Sequence, residues 1–542
     1  MTLRRFGSFC WLLPLLWTAM IGGCLPPDRW PTIQPDFDRA ARRDETVPVT
    51  VPDALQPRMA EAPSLELPPE GLLSLSVEQA LMAALQNNPD LRVRQLSPVI
   101  AGAFEEIERG AFDPEVFGEA EYTEEEASEI SRSTGGQFSV EGRDTAAVMG
   151  IRQQLPTGTR VEASVSQERS VSNRTPEQQN ARLGLSVTQS LLRGFGPAVN
   201  LVSIRQAELE TLASIYELRG FTEALLADTE SAYWNLALAA KEIAIFERSL
   251  AVARQQLDDV EQRIAVGILP EVDAPAARAE VARREQALID ARSQLAERRL
   301  RLLRLINPNP DGGLFDRMVE AVTEPAIVPL TVTDLADRVR LAEKLRPDLG
   351  EARLRLEQNR METIVTRNGL LPMLDFFVVL GKTGYADTFP DSFRELTGDS
   401  TYDFAAGVSL RQYLGNRAAK ARHQAARTSR RQSAEAVENL RQLVRLDVHL
   451  AANEVERTRQ LISASRVTRE FEEQTLRAEK ERYAVGASTA LMVSQAQRDL
   501  LLSQIAEVRA VVNYRIALVS LHLAEGSLLE RRGVRLAGAE TP

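Results

Sequence analysis

From near Pro197 to Ile264 apolar residues recur every seven positions, and this repeat limits what the chain can become more than any other feature. Leu236, Ile243, Leu250, Leu257 and Ile264 hold one heptad position, and Ala239, Phe246, Ala253 and Val260 hold the position three residues later. A sustained seven-residue beat keeps one seam facing a partner helix and supercoils the pair left-handedly, here with large and small knobs alternating. About 67 residues at 1.5 Å each make a rod of roughly 100 Å, longer than any globular domain needs. After Gly267 the chain turns back through Val281, Leu288, Leu295 and Leu302, until Asn307-Pro308-Asn309-Pro310-Asp311-Gly312-Gly313 breaks the run. This return is too short to match the outgoing rod. The periodicity therefore stacks a second helix, Leu335 to Arg367, end to end on it, with residues 306–334 bulging out at the middle.

The same pattern is written twice. Asn88-Pro89-Asp90-Leu91 returns as Arg346-Pro347-Asp348-Leu349, Pro114 returns as Pro372, and Arg263-Ile264-Ala265-Val266-Gly267 returns as Arg482-Tyr483-Ala484-Val485-Gly486. The first two landmarks recur at an offset of 258 and the third at 219, so a duplication with an insertion in the first half explains both. In each half a helix of about 35 residues (Val77 to Arg109; Leu335 to Arg367) leads into alternating apolar and polar runs. These are Val116 to Thr123 and Ala181 to Leu191 in the first half, and Leu371 to Leu380 and Tyr402 to Tyr413 in the second. Period two with one apolar and one wet face is a strand signal. The long rod follows. Its beat is looser in the second half, where Val448, Val455, Ile462, Leu476 and Tyr483 keep time but Arg469 interrupts. The first half also carries about 39 additional residues between its landmarks, best placed at Thr145 to Ser170. They read as a hairpin, Ala147 to Leu155 and Thr159 to Gln167, around Pro156-Thr157-Gly158.

The amino terminus carries an export signal: Arg4 and Arg5, an apolar run from Phe6 to Met20, and the small-residue approach Ile21-Gly22-Gly23 to Cys24. The last four residues resemble a bacterial lipobox, in which the cysteine becomes the acylated first residue of the mature chain. Residues 1–23 are then the signal peptide and Cys24 the lipidation site. Fifteen apolar residues are too few for a spanning helix, which needs about 20. Ten prolines between Pro26 and Pro69 make residues 24–71 an extended tether. The remaining divisions are a first repeat at 72–305, an equatorial linker at 306–334, a second repeat at 335–530 and a tail at 531–542.

Composition removes several function classes. Acidic residues outnumber basic ones 76 to 65, for a net charge of −11, which speaks against a nucleic-acid partner. Two cysteines and three histidines, Cys10, Cys24, His423, His449 and His522, have no metal-ligand spacing, so no metal or cofactor is expected. Gly194-Phe195-Gly196 lacks a third glycine at Val199 and reads as a strand-to-helix bend; Glu124, Glu125 and Glu126 read as a solvated loop. His423 and His449 fall on helix surfaces without partners. No constellation of nucleophile, base and orienting acid appears, so the chain is not expected to be an enzyme.

Strands at one end, paired rods, a duplication and an export signal together resemble the TolC-type outer membrane efflux family. Local phrases agree in order: Ser76-Val77-Glu78-Gln79-Ala80-Leu81 with Asn88-Pro89; Gln189 with Leu191-Leu192-Arg193-Gly194; Ala232-Tyr233-Trp234; Leu414-Gly415-Asn416-Arg417; and the two Ala-Val-Gly turns. The resemblance implies a mainly α chain with a membrane β-barrel: long antiparallel helical coiled-coil hairpins form a periplasmic tunnel joined to a trimeric transmembrane barrel. It implies two strands per half and three chains, so the Thr145 to Ser170 hairpin exceeds the family's count. Three placements stay open for that hairpin: in the barrel, outside it, or as a longer loop.

The family also implies an outer membrane exit duct for efflux or type I secretion, lipid-anchored here. Its partners would be two further copies of the chain, outer membrane lipid, a periplasmic adaptor (membrane fusion) protein and an inner-membrane transporter. By the same resemblance the tip turns, Val266, Gly267, Val485, Gly486 and Ser488, contact the adaptor. Glycine accepts the positive backbone angle that such a helical reversal needs. Asp273 and Tyr483 match an aspartate and tyrosine that bond between hairpins in the closed state, although Asp273 after Pro270 also reads as a helix N-cap. Ser488 replaces a family arginine, and Met492 and Gln495 stand where the constriction carries aspartates, so cation block there should be weak. The alternative function is a structural periplasmic coiled-coil lipoprotein that tethers envelope layers without a pore.

Overall fold

Prolines set the first boundaries. Val77–Asn87 (α1) and Pro89–Gly110 (α2) are separate helices because Pro89 holds Asn88 extended, at φ −63° and ψ 121°. The break is well capped: the Asn88 side chain accepts from the amides of Asp90 and Leu91, while Ser76 and Gln79 form a reciprocal capping box at the start of α1. Pro347 does the same to Arg346, separating Leu335–Leu345 (α6) from Pro347–Asn368 (α7). The single 35-residue helices expected from periodicity are thus each two helices. The computed structural model describes residues 58–59, 71–130, 133, 135–173, 176–307, 314–325, 327, 334–398 and 401–536. Cys24, the signal peptide and most of the tether lie outside the described residues.

The rods are long, as the heptads require. After one turn at Pro197–Asn200 (α3), Val202–Ala265 (α4) runs 64 residues, and Arg417–Ala484 (α9) runs 68. Their returns are Ala274–Ile306 (α5) and Ala490–Ala524 (α10). The stacking differs from the sequence reading. α5 abuts α1 and α2 of its own half, where Asn307 Nδ2 donates to the Asn87 carbonyl, Asn88 Nδ2 to the Leu305 carbonyl, and Arg304 pairs with Asp90 at 2.9 Å. α6 and α7 instead meet the end of α10, with Arg338 paired to Glu525 and Gly526 packed on Arg346. The heptad beat alone cannot choose between two helices of similar length.

The core sits where these ends meet, at the waist. Tyr233 and Trp234 on α4 are fully buried and edge to face, with centroids 5.3 Å apart, among Leu81, Leu226, Leu302 and Val519. The Tyr233 hydroxyl donates to the Leu75 carbonyl and accepts from the Thr323 amide. It thereby pins Leu73–Leu75 (β2) and Val319–Ala321 (β7), which pair in parallel, so the described part of the linker lies against the waist. Arg58–Met59 (β1) pairs antiparallel with Val534–Arg535 (β10), just past the short helix Leu528–Arg531 (α11). No described helix is long and apolar enough to cross a membrane.

At the opposite end of the rods from the tip turns, six strands form one antiparallel sheet in the order β3-β4-β5-β6-β8-β9. They are Glu115–Ile130, Gln137–Gln154, Thr159–Ser172, Gln178–Ser190, Met373–Ala386 and Asp403–Arg411. Glu124, Glu125 and Glu126 fall inside β3 rather than in a loop, because that strand pairs with β4 along its whole length. Gly194 and Gly196, at φ +83° and +89°, make the strand-to-helix bend. His423 is not unpartnered: its Nδ1 lies 3.2 Å from the Thr366 hydroxyl. Between β8 and β9, Phe389–Gly398 (α8) lies across Gly384.

Candidate functional site

Both tip turns end their rods in the same way. The Gly267 amide bonds the Ile264 carbonyl and the Ile268 amide bonds that of Arg263; the Gly486 amide bonds Tyr483 and the Ala487 amide bonds Arg482. This is the Schellman closure, and it needs the left-handed glycine that both turns supply, at φ +77° and +75°. The turns present apolar side chains to solvent: Val266, Ile268 and Val272 on one, and Val485, which is 80 % exposed, with Leu491 on the other. Ser488 donates to Glu479 at 2.7 Å. Met492 and Gln495 lie one turn apart on the exposed face of α10.

The first and second hairpins of one chain meet just behind these turns. The Arg263 guanidinium stacks over the Tyr483 ring, 4.9 Å from its centroid, while the phenol oxygen is buried and has no hydrogen-bond partner. Burial pushes the phenol pKa up, Arg263 opposes this, and the charges of Asp259 and Asp273 add to the rise. Asp273 therefore acts on Tyr483 through its field, with no bond between them. It occupies the N-cap position of α5 but makes no capping bond. Further up the rods Glu280 is buried among Arg283, Arg284 and Arg498, and Arg498 on α10 reaches it at 3.1 Å. Burial raises that carboxyl, yet the arginines hold it below the ordinary range. Arg263 and Glu280 were not singled out from the sequence. The only signal was charge immediately beside the heptad seam, at the positions just before Ile264 and Val281.

The sheet supplies the second surface. Residues Val116, Ile151, Ala163, Leu185, Leu380 and Phe404 form one row across all six strands. Their face continues with Met149, Leu183, Phe376 and Val408, all exposed, Met149 by 64 %. The opposite face carries Glu115 paired with Arg152 at 2.8 Å and Arg182 paired with Asp403 at 2.6 Å. An exposed apolar band backed by a wet face, with unpaired edges at β3 and β9, is unstable in water and suited to a membrane wall. Among the described residues no cluster of three metal-ligating side chains comes together.

The sequence profile of the family described as Outer membrane efflux protein matches residues 80–308 and again 339–527. The chain belongs to the outer membrane efflux protein family. Solved structures agree on the fold. The outer-membrane channel OprN shares 18 % identity at a TM-score of 0.62, covering 88 % of this chain and 98 % of its own. The Campylobacter jejuni CmeC outer membrane channel gives 15 % and 0.62, covering 83 % and 85 %. The Neisseria gonorrhoeae MtrE outer membrane channel, solved in its open state, gives 18 % and 0.59, covering 87 % and 97 %. No curated protein matches the sequence. This family of outer membrane efflux channels, whose members are not enzymes, places the rods and the sheet in one known architecture.

Proposed function

We propose that three copies of this chain close their sheets into one membrane barrel and their rods into a periplasmic tunnel. The product is an outer membrane exit duct, lipid-anchored through Cys24, that passively conducts substrates delivered by an inner-membrane transporter through a periplasmic adaptor. The observation that carries the reading is the sheet: a membrane leaves no water to satisfy the free edges of β3 and β9, so they must pair with another copy. Because β3 and β9 run in opposite directions, the β9 of one copy meets the β3 of the next antiparallel, and the ring closes. A duplication of one ancestral unit accounts for the double match of the family profile and for the identical tip closures.

The tip turns are the adaptor's landing site, and their exposed valines and Leu491 are the surface it covers. Asp273 and Tyr483 form the closed-state latch when the phenol, now without a partner, rotates toward the carboxylate. A bond of this kind contributes about 1 to 3 kcal/mol, enough to hold and weak enough to release. Met492 and Gln495 face the constriction without charge. The test is single-channel conductance of the purified lipoprotein in planar bilayers, wild type beside Tyr483→Phe and Asp273→Ala. Small, rare openings that enlarge in either variant support the latched duct. Well-folded oligomer without conductance would promote the periplasmic tether instead.

A further inference from the structure

The hairpin that exceeds the family's strand count is the part of the molecule the duct reading leaves unexplained. Its two strands, β4 and β5, sit in the middle of the sheet, where Gly142–Gln154 pairs with Arg160–Ser172 and Thr159–Ser170 pairs with Gln178–Gln189. Their 18 and 14 residues exceed the roughly 9 to 11 that a tilted strand needs to span a bilayer. Their alternation keeps step with their neighbours. Ala147, Met149 and Ile151 on β4, and Val161, Ala163 and Val165 on β5, continue the apolar rows of β3 and β6, while Glu162, Ser164 and Ser166 fall on the wet face.

The inner turn of the hairpin is built into the junction between sheet and rod. Asn200 Nδ2 donates to the carbonyls of both Pro156 and Gly194, the Gly196 amide to that of Thr157, and the Ser190 amide to that of Gly158. Gly158 is at φ +85°, and a Cβ there would lie 2.2 Å from the Gly194 oxygen, so only glycine fits. Loops that hang outside a wall have no need of such anchoring. An aromatic ring also covers a glycine on the wet face at two places, Phe117 over Gly150 and Phe377 over Gly407, so β4 is packed as β9 is.

We infer that the β4–β5 hairpin is a wall element of the barrel, with Ala147, Met149, Ile151, Val161, Ala163 and Val165 against lipid hydrocarbon, so that each chain gives six strands and the closed trimer eighteen. This rests on the trimeric duct proposed above. Insertion of a strand pair, unlike a single strand, keeps the number even and the antiparallel closure between chains intact. Barrel diameter grows roughly linearly with strand number, so at equal tilt the mouth is about 1.5 times as wide as that of twelve strands, and its cross-section about twofold larger. The exit then admits cargo too bulky for a four-strand-per-chain relative, which points to large polar solutes rather than single small amphiphiles.

The test is site-directed spin labelling in proteoliposomes of the full-length lipidated chain. Val148→Cys and Met149→Cys report on β4, and Glu162→Cys, Ala163→Cys, Ser164→Cys and Val165→Cys report on β5, each kept only if its oligomer melts like the parent; the parent, with Cys24, sets the background. The expected result is a two-residue alternation: labels at 149, 163 and 165 are relaxed by dissolved oxygen, and those at 148, 162 and 164 by an aqueous nickel chelate. The ratio of the two effects should swing at least tenfold between neighbours. Uniform access to the chelate, or labels shielded from both relaxants, would overturn the wall assignment. If the same preparation still conducts, the duct survives with the hairpin outside it. Alternation in a preparation that never conducts would overturn the duct and the wide mouth together.

Discussion

The waist and the tips are built from the same coiled-coil helices, yet they dispose of charge in opposite ways. At the waist ionised groups are buried and paired. Glu230 is 1 % exposed, is held by Arg532, and accepts from the Trp234 indole at 3.2 Å; Arg515 stacks over that indole; Arg219 joins Glu223 and Glu530; and Glu525 takes Arg338 and Arg531. At the tips apolar side chains are exposed and a buried phenol has no partner. A waist of that kind has one arrangement that satisfies it. A tip of the other kind is left incomplete, and other chains can supply what is missing. In the proposed duct this contrast would let the waist hold its shape while the tips change.

The largest effect that breaks the comparison should come from Glu230→Ala. It leaves the Trp234 N–H without its acceptor in the core and takes the carboxylate from Arg532, which is itself partly exposed, at a cost of about 1 to 3 kcal/mol. Thermal or denaturant unfolding of the detergent-extracted protein should show a marked loss of stability, where a mutation of similar chemistry at the tip, Asp273→Ala, shows little.

Acidity gives the next test. His522 is pushed down to about 3, first by burial and then by the surrounding Arg531, Arg532, Arg338 and Arg515. Its folded pKa lies below the unfolded value of about 6.5, so its contribution is complete above that pH and is lost as pH falls toward 3. Glu223 is pushed the other way, up to about 7, by burial and against the pull of Arg219. Its contribution is complete below the unfolded value near 4.5 and is lost as pH rises through about 7. Melting temperature against pH should therefore flatten on the acid side in His522→Asn and on the neutral side in Glu223→Gln.

Smaller effects belong to the tips. Gly267→Ala or Gly486→Ala forces an alanine into left-handed backbone at about 1 to 2 kcal/mol, a local cost that should appear as faster amide exchange at the turn rather than as a lower global melting point. Tyr483→Phe removes a hydroxyl that bonds nothing here, so it should leave stability within about 0.5 kcal/mol while changing channel opening.

Much of this division was legible in the sequence. Periodicity of seven and of two marked the rods and the strands, and the two glycines marked the tips, because each signal is local and repeats. What escaped was long-range or depended on one residue. Pro89 and Pro347 cut helices that the apolar pattern carries straight through, and a heptad cannot choose between α1–α2 and α6–α7 as the partner of α5. Glu124 to Glu126 read as a loop because three successive carboxylates break the apolar alternation; in β3 Glu124 and Glu126 share the face of Val116, past the end of its apolar band, and Glu125 the opposite one. The waist network joins Arg532 to Glu230 across some three hundred residues, and no spacing announces such a pair. At the tips the stack of Arg263 on Tyr483 joins two hairpins far apart in the sequence, and such a contact leaves no mark in either.

The central claim is that the tips move while the waist does not. The most direct measurement is single-channel conductance of oligomers carrying Arg263→Cys and Tyr483→Cys bridged by a short bismaleimide, compared with the same variant left unbridged. The account predicts that the bridge abolishes large openings and that unbridged channels open more readily than wild type. Equal conductance with and without a bridge shown to be complete by mass would contradict it, because a tip held shut across its two hairpins would then be no gate.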